Sequence, residues 1–150
     1  MKLSAEGLEI LKELEGFRSN TYLDRAGKPT IGFGHLIRPY DHFPSPITRE
    51  LASAILSEDV AEAEDAINSL VTIPLKQNEF DALTLFVYNV GRGALKGSTT
   101  LKVINTGDRD RVPKWLMKWV YVTIEGGAKL RSDGLENRRK REVELWLGQA

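Results

Sequence analysis

Cysteine is absent from the 150 residues and histidine occurs only twice. The first absence excludes disulfides, thiolate chemistry and cysteine-based metal sites, and it makes the fold indifferent to redox compartment. The second argues against a metal enzyme, so no metal and no cofactor is expected. No window approaches the roughly 18 uninterrupted apolar residues of a bilayer span, so stable membrane insertion is not expected. Glu6, Glu9 and Glu13 interrupt the first segment, MKLSAEGLEILKELEG, which does not read as a signal-peptide core. Net charge is also lacking at +0, yet it is unevenly spread. Residues 1–75 carry 7 Lys+Arg against 12 Asp+Glu, and residues 76–150 carry 14 against 9. A basic second half suits an anionic partner. Nucleic acid is disfavoured, because the basic run lacks interleaved aromatics and the chain is not basic overall.

What is present fits one globular domain over residues 1–150, with 41% apolar content to fill a core. Ser4 reads as an N-cap, and Leu8, Leu11 and Leu14 precede Gly16, giving a short amphipathic helix that ends near Glu15. Thr21 to Ile37 reads as one or two hairpin strands around DRAGKP, and the proline-rich Arg38 to Pro46 as a loop. From Thr48 to Leu70 apolar residues keep helical spacing, predicting one helix of about twenty residues. QNEFDALTLFVYNVG is apolar nearly all round and predicts a buried central helix stopped at Gly91. Further helices are expected over STTLKVINTG, PKWLMKWVYV and LENRRKREVELWLG, with Gly107, Gly126/Gly127 and Gly148 as stops.

The segment ELEGFRSNTYLDRAGKPTIGFGH, Glu13 to His35, carries the chemistry. Taken singly, Glu15 is a helix-end charge, Asp24 a turn former and Thr30 a strand residue. Together they suit glycosidic cleavage, in which one carboxyl protonates the leaving oxygen and another assists water or attacks carbon. A carboxylate in the last turn of a helix meets the negative end of the macrodipole, which disfavours ionisation and favours a general acid. Period-two alternation expects Thr30, Gly32 and Gly34 on one face, cleared of bulk, with Ile31, Phe33 and His35 on the other. His35 is expected to make a structural bond to an acid.

Glu15, eight residues, Asp24, five residues and Thr30, followed directly by IGFGH, resembles the signature of the tailed-phage lysozymes, glycoside hydrolase family 24. ITRELASAIL, PLKQNEFDAL, FVYNVGRGALKGST and GLENRRKREVELWL resemble that family too, in order along nearly the whole chain. The resemblance implies an α+β, two-lobed lysozyme-like fold: an N-terminal helix with a small antiparallel β-sheet lobe, a long bridging helix and a helical C-terminal lobe. It implies a muramidase that cuts the β-1,4 bond between N-acetylmuramic acid and N-acetylglucosamine of bacterial peptidoglycan. Glu15 matches the general acid, Asp24 the carboxylate that assists water or stabilises the oxocarbenium-like centre, and Thr30 the hydroxyl that places the water. Leu36, Tyr88 and Ser98 match substrate contacts, although Tyr88 also reads as core and Ser98 as a helix cap. Arg138 matches an arginine directed at the catalytic glutamate, in tension with a protonated acid.

The same resemblance implies an endolysin, monomeric, made in the bacterial cytoplasm and acting on the wall after release, with a holin as the releasing partner. Two other readings compete. A lytic transglycosylase needs one acid and no water, which leaves Asp24 and Thr30 without a role. A wall-binding module of a delivery apparatus or antibacterial effector would not need the intact trio. GGAKLRSDGL is longer than the corresponding family link, which leaves that region of the second half open.

Overall fold

The computed structural model describes residues 1–149, which form two compact units: residues 8–61, and residues 1–7 together with the chain from Glu62 onward. Helix α1, Ala5–Glu15, starts where expected, with the Ser4 hydroxyl accepting from the Gly7 amide at 3.0 Å. Ser4 is itself fixed by Asp81, which accepts from both its amide and its hydroxyl. The helix ends as the Gly16 amide donates to the Lys12 carbonyl.

In the first of these units a meander follows, β1 (Arg18–Leu23), β2 (Pro29–Gly32) and β3 (His35–Leu36), antiparallel in the order β1-β2-β3. Tyr22 lies opposite Thr30, Thr30 opposite Leu36 and Ile31 opposite His35. The sheet thus starts three residues before Thr21, the position expected from composition. Helix α2, Arg49–Asp59, capped by the Thr48 hydroxyl on the Leu51 amide at 3.1 Å, packs on β2 and β3. Its buried Ala52, Ile55 and Leu56 close the core around Ile31 and Phe33.

The single helix expected from Thr48 to Leu70 is interrupted at Val60, and α3 runs Ala61–Leu70. No glycine or proline stands at the break, so the apolar spacing runs through it without a signal. The break adjoins the point where the chain passes from one unit to the other.

In the second unit α4, Gln77–Val90, is buried continuously from Glu79 to Val87. It packs on α8, Asp133–Trp146, whose Leu145 and Trp146 join Phe80, Leu83 and Phe86 in the core. Burying each such side chain contributes about 1.5–3 kcal/mol, so this helix pair dominates the unit's stability. Between them lie α5 (Arg92–Leu95), α6 (Thr99–Asn105), a 3-10 turn over Arg109–Arg111, and α7 (Val112–Leu116).

The helix expected across PKWLMKWVYV stops at Leu116, and a two-stranded hairpin takes its place: β4 (Tyr121–Thr123) pairs antiparallel with β5 (Lys129–Arg131). Gly126 and Gly127 are its turn rather than helix stops, with φ +88° and +85°. The reason is local: Tyr-Val-Thr is β-branched and aromatic, and paired positive-φ glycines suit a reversal better than a helix end. GGAKLRSDGL therefore supplies the turn, the second strand and the Ser132 cap of α8.

Candidate active site

Glu15 is the last residue of α1 and is half-buried. Its Oε2 lies 3.3 Å from the position a Cβ would take on Gly34, whose φ is +80°. The missing side chain lets the carboxylate rest directly against the backbone of the β2–β3 turn. Gly32, at φ +69°, serves the packing instead. A Cβ there would stand 3.0 Å from the Ala52 Cβ, so its absence seats the sheet on α2. Gly34 lies in the turn, and Gly32 is the last residue of β2, opposite Arg18. The expected alternation of Thr30, Gly32 and Gly34 along one strand face is corrected accordingly, because two positive-φ residues interrupt period-two geometry.

Asp24 and Thr30 are joined through one peptide group. Asp24 Oδ1 accepts from the amides of Ala26 and Lys28, each at 2.9 Å, while the Asp24 amide donates to the Lys28 carbonyl at 2.9 Å. The Thr30 hydroxyl donates to that same carbonyl at 3.0 Å. The turn DRAGK thereby fixes the carboxylate by one oxygen, leaving Oδ2 without a hydrogen bond among the described residues. With its proton committed, the Thr30 oxygen is free to accept. Thr30 is buried at 2% exposure, and Leu36, opposite it in register, is 47% exposed.

Glu15, Asp24, Thr30 and Leu36 thus belong to one unit, and Tyr88, Ser98 and Arg138 to the other. Tyr88 is half-buried on α4. Ser98 caps α6, its hydroxyl accepting from the Leu101 amide at 3.0 Å, the capping role that its position also allows. Arg138 on α8 is nearly buried, its Nε 4.0 Å from Glu142 Oε1. Arg139 Nε lies 3.0 Å from Glu142 Oε2, and both side chains are buried. Burial pushes the Glu142 carboxyl up to about 7, against the pull of the two guanidiniums.

His35 holds the sheet unit together as a structural residue. Its Nδ1 is 2.6 Å from Asp59 Oδ2 and its Nε2 2.9 Å from Asp41 Oδ2. Asp41 also accepts from the Arg38 amide at 2.8 Å and lies 3.2 Å from Arg38 Nε, which holds its carboxyl well below the usual range. Burial opposes the charge on His35, but the hydrogen bonds to Asp41 and Asp59 outweigh it and raise the imidazole above its ordinary value. Asp41 and Asp59 escaped the sequence reading because neither spacing nor composition marks a partner across a loop. Glu142 escaped it too, since RRKRE reads as a solvated charge run.

The phage lysozyme family model matches residues 12–142. The chain is 36% identical over 146 residues to the endolysin of Acyrthosiphon pisum secondary endosymbiont phage 1, covering 97% of this chain and 98% of that one. It is 37% identical over 150 residues to the endolysin of Salmonella phage P22, covering 98% and 99%. Among solved structures, the endolysin from Escherichia coli O157:H7 phage FAHEc1 superposes with a TM-score of 0.92 at 37% identity, over 100% of this chain and 96% of that one. A mutant form of P22 lysozyme gives 0.84 at 37%, over 98% and 99%. The fold is thus the α+β lysozyme-like one, and the class is that of a glycoside hydrolase acting on the bacterial wall. The chain belongs to the phage lysozyme family, and its activity is peptidoglycan hydrolysis.

Proposed function

We propose that the protein is an endolysin muramidase that cuts the β-1,4 bond between N-acetylmuramic acid and N-acetylglucosamine. Glu15 protonates the departing glycosidic oxygen as the bond to the anomeric carbon breaks. Asp24 Oδ2 takes a proton from the water that attacks that carbon, and Thr30 accepts the water's second hydrogen. The observation that carries this assignment is the shared Lys28 peptide: one carbonyl accepts from Thr30 and from the Asp24 backbone, so carboxylate and hydroxyl hold a fixed relation within the unit that also contains Glu15.

Leu36, Tyr88 and Ser98 are proposed substrate contacts, and Arg138 a supporting charge for the acid. Residues 1–150 are read as a single lysozyme domain, a reading supported by a family match that runs through both units. No helix among the described residues is long and apolar enough to cross a membrane. A separate permeabilising protein such as a holin is therefore proposed to release a monomeric, cytoplasmically made enzyme to the wall.

Glu15→Gln should lower the release of new reducing ends from purified walls by about 10²-fold or more while circular dichroism stays native. Undiminished activity would sink the assignment. Anhydro-sugar ends in the product mass spectrum would replace hydrolysis by transglycosylation.

A further inference from the structure

Where α1 and α4 begin and α8 ends, the second unit holds a cavity of about 580 Å³ lined by Ser4, Glu6, Gln77, Asn78, Asp81 and Leu145. That volume lies within the roughly 300–1,000 Å³ of small-ligand sites. No lysine, arginine or histidine lines it, and neither does any residue assigned to catalysis or substrate contact.

The side-chain donors at this cavity are all committed. Asn78 gives both hydrogens of its amide nitrogen to the end of α8, to the Leu145 and Trp146 carbonyls at 3.0 Å each. Gln77 gives its pair to the Lys2 carbonyl and to Asp81 Oδ1, each at 2.8 Å. The Ser4 hydroxyl donates to Asp81 Oδ2. Carbonyls and a carboxylate only accept, so the orientation of both carboxamides is forced, and Asn78 Oδ1 and Gln77 Oε1 are left without a donor among the described residues. Glu6, exposed in the first turn of α1, has neither a hydrogen bond nor an ion pair among the described residues.

The helix ends favour the same sign of ligand. The amide end of α1 is already met by Asp81, which accepts from the Ser4 N–H at 3.0 Å, and that of α4 by Glu79, which accepts from the Lys76 N–H at 2.8 Å. The carbonyl end of α8 has no basic residue in its last turn, so its negative pole is not offset there. What the cavity offers is acceptor oxygens and negative charge, beside the apolar Ala5 and Leu145.

We propose that this cavity binds a primary alkylammonium, its N–H groups toward Glu6 and the carboxamide oxygens of Gln77 and Asn78 and its methylenes against Ala5 and Leu145. A bare metal ion needs ligands that converge on one point, and among the described residues no group of three or more acidic or histidine side chains does so. An anion would meet acceptors alone. The ammonium is that of a free diamine or of a lysyl side chain. Once bound, it ties the starts of α1 and α4 to the end of α8 and stabilises the folded chain by mass action. Nothing in the proposal depends on which residue is the catalytic acid.

Amide-resonance titration of the full-length protein at low salt tests it with four probes: cadaverine, Nα-acetyl-lysine amide, pentanol and glutarate. At least one ammonium probe should saturate at millimolar concentration, shift the amides of Glu6, Gln77, Asn78 and Gly148, and raise the thermal midpoint. The tighter of the two identifies the source. Pentanol keeps the methylenes without the charge and glutarate reverses the charge, so each should bind about tenfold more weakly or worse. Glu6→Gln should weaken ammonium binding about threefold or more, and Glu6→Lys should abolish it. Glu9→Gln, on the same helix but paired with Lys12, should bind as the parent does, and so should Glu15→Gln. Glu6 is exposed, so both of its variants should fold; if Glu6→Lys does not, Glu6→Gln makes the same comparison. No saturable shift with either ammonium probe, equal affinity for pentanol or glutarate, unchanged affinity in Glu6→Gln, or equal weakening by Glu9→Gln would each overturn the proposal.

Discussion

The described residues contain two small antiparallel sheets, and burial separates them. In β2, Thr30, Ile31 and Gly32 are buried, and the sheet is seated on α2 through Gly32 and Ala52 and tied by His35 to Asp41 and Asp59. Every residue of β4 and β5 is exposed. An isolated two-stranded hairpin is marginal in water, so β4–β5 depends on its own ladder and on flanking bonds such as Ser132 N–H to the Val120 carbonyl at 2.8 Å. The first sheet fixes side chains to the tolerance that bond cleavage needs. The second, with no buried residue, can open locally without disturbing a core.

The sharpest way to break this contrast is to place the same side chain at one positive-φ glycine of each sheet. Gly32→Val forces a β-branched residue to a φ of +69° and drives its Cβ to 3.0 Å from that of Ala52. Strain and overpacking together should cost about 3 kcal/mol, lowering the thermal midpoint by roughly 6–12 °C. Gly126→Val meets an equally unfavourable φ of +88° but nothing within 4 Å. The hairpin can open locally instead of transmitting the strain, so the global change should stay under about 1 kcal/mol. Equal losses in a denaturant titration would show that the two sheets are equally coupled to their cores.

The network around His35 sharpens the same contrast through pH. His35→Gln should cost about 2 kcal/mol below pH 6.5, since a neutral amide replaces a cation between two carboxylates. The groups facing His35 are Asp59 on α2, Asp41 and Arg38 on the following loop, and the edge-on Phe43 ring. Because the imidazole is raised in the folded state, its contribution is complete below the unfolded value of 6.5 and is lost as pH rises through the folded value. The stability difference between parent and variant should therefore shrink from pH 6.5 upward. A difference that grows with pH would mean that His35 is held neutral.

These cases also show what was legible in the sequence. Helix ends with a chemical cap were: Ser4, Thr48, Ser98 and Gly91 each stand where a side-chain oxygen or a missing Cβ dictates a boundary. The Glu15, Asp24 and Thr30 spacing was legible because all three come from one continuous helix–hairpin segment. Two conformational points were not. The break at Val60 has no local signature, and VYVT reads as helix or strand until the glycine pair is assigned to a turn. The partners of His35 and the buried Arg139–Glu142 pair depend on tertiary contacts, which spacing alone does not encode.

The smallest effect should come from removing the second sheet. Replacing residues 121–131 by a short Gly-Ser link deletes strands in which Tyr121, Val122 and Leu130 are 53%, 40% and 53% exposed, so little buried apolar area is lost. The ladder hydrogen bonds given up are solvent-accessible, and their net worth in water is small. Changing the length of a surface connection costs only a fraction of a kcal/mol in closure entropy. The core pairing of α4 with α8 keeps Phe80, Leu83, Leu145 and Trp146 in place. The thermal midpoint should then move by no more than about 3 °C. A large fall in the midpoint would show that the hairpin is a structural clasp, and its exposure would then have misrepresented its role.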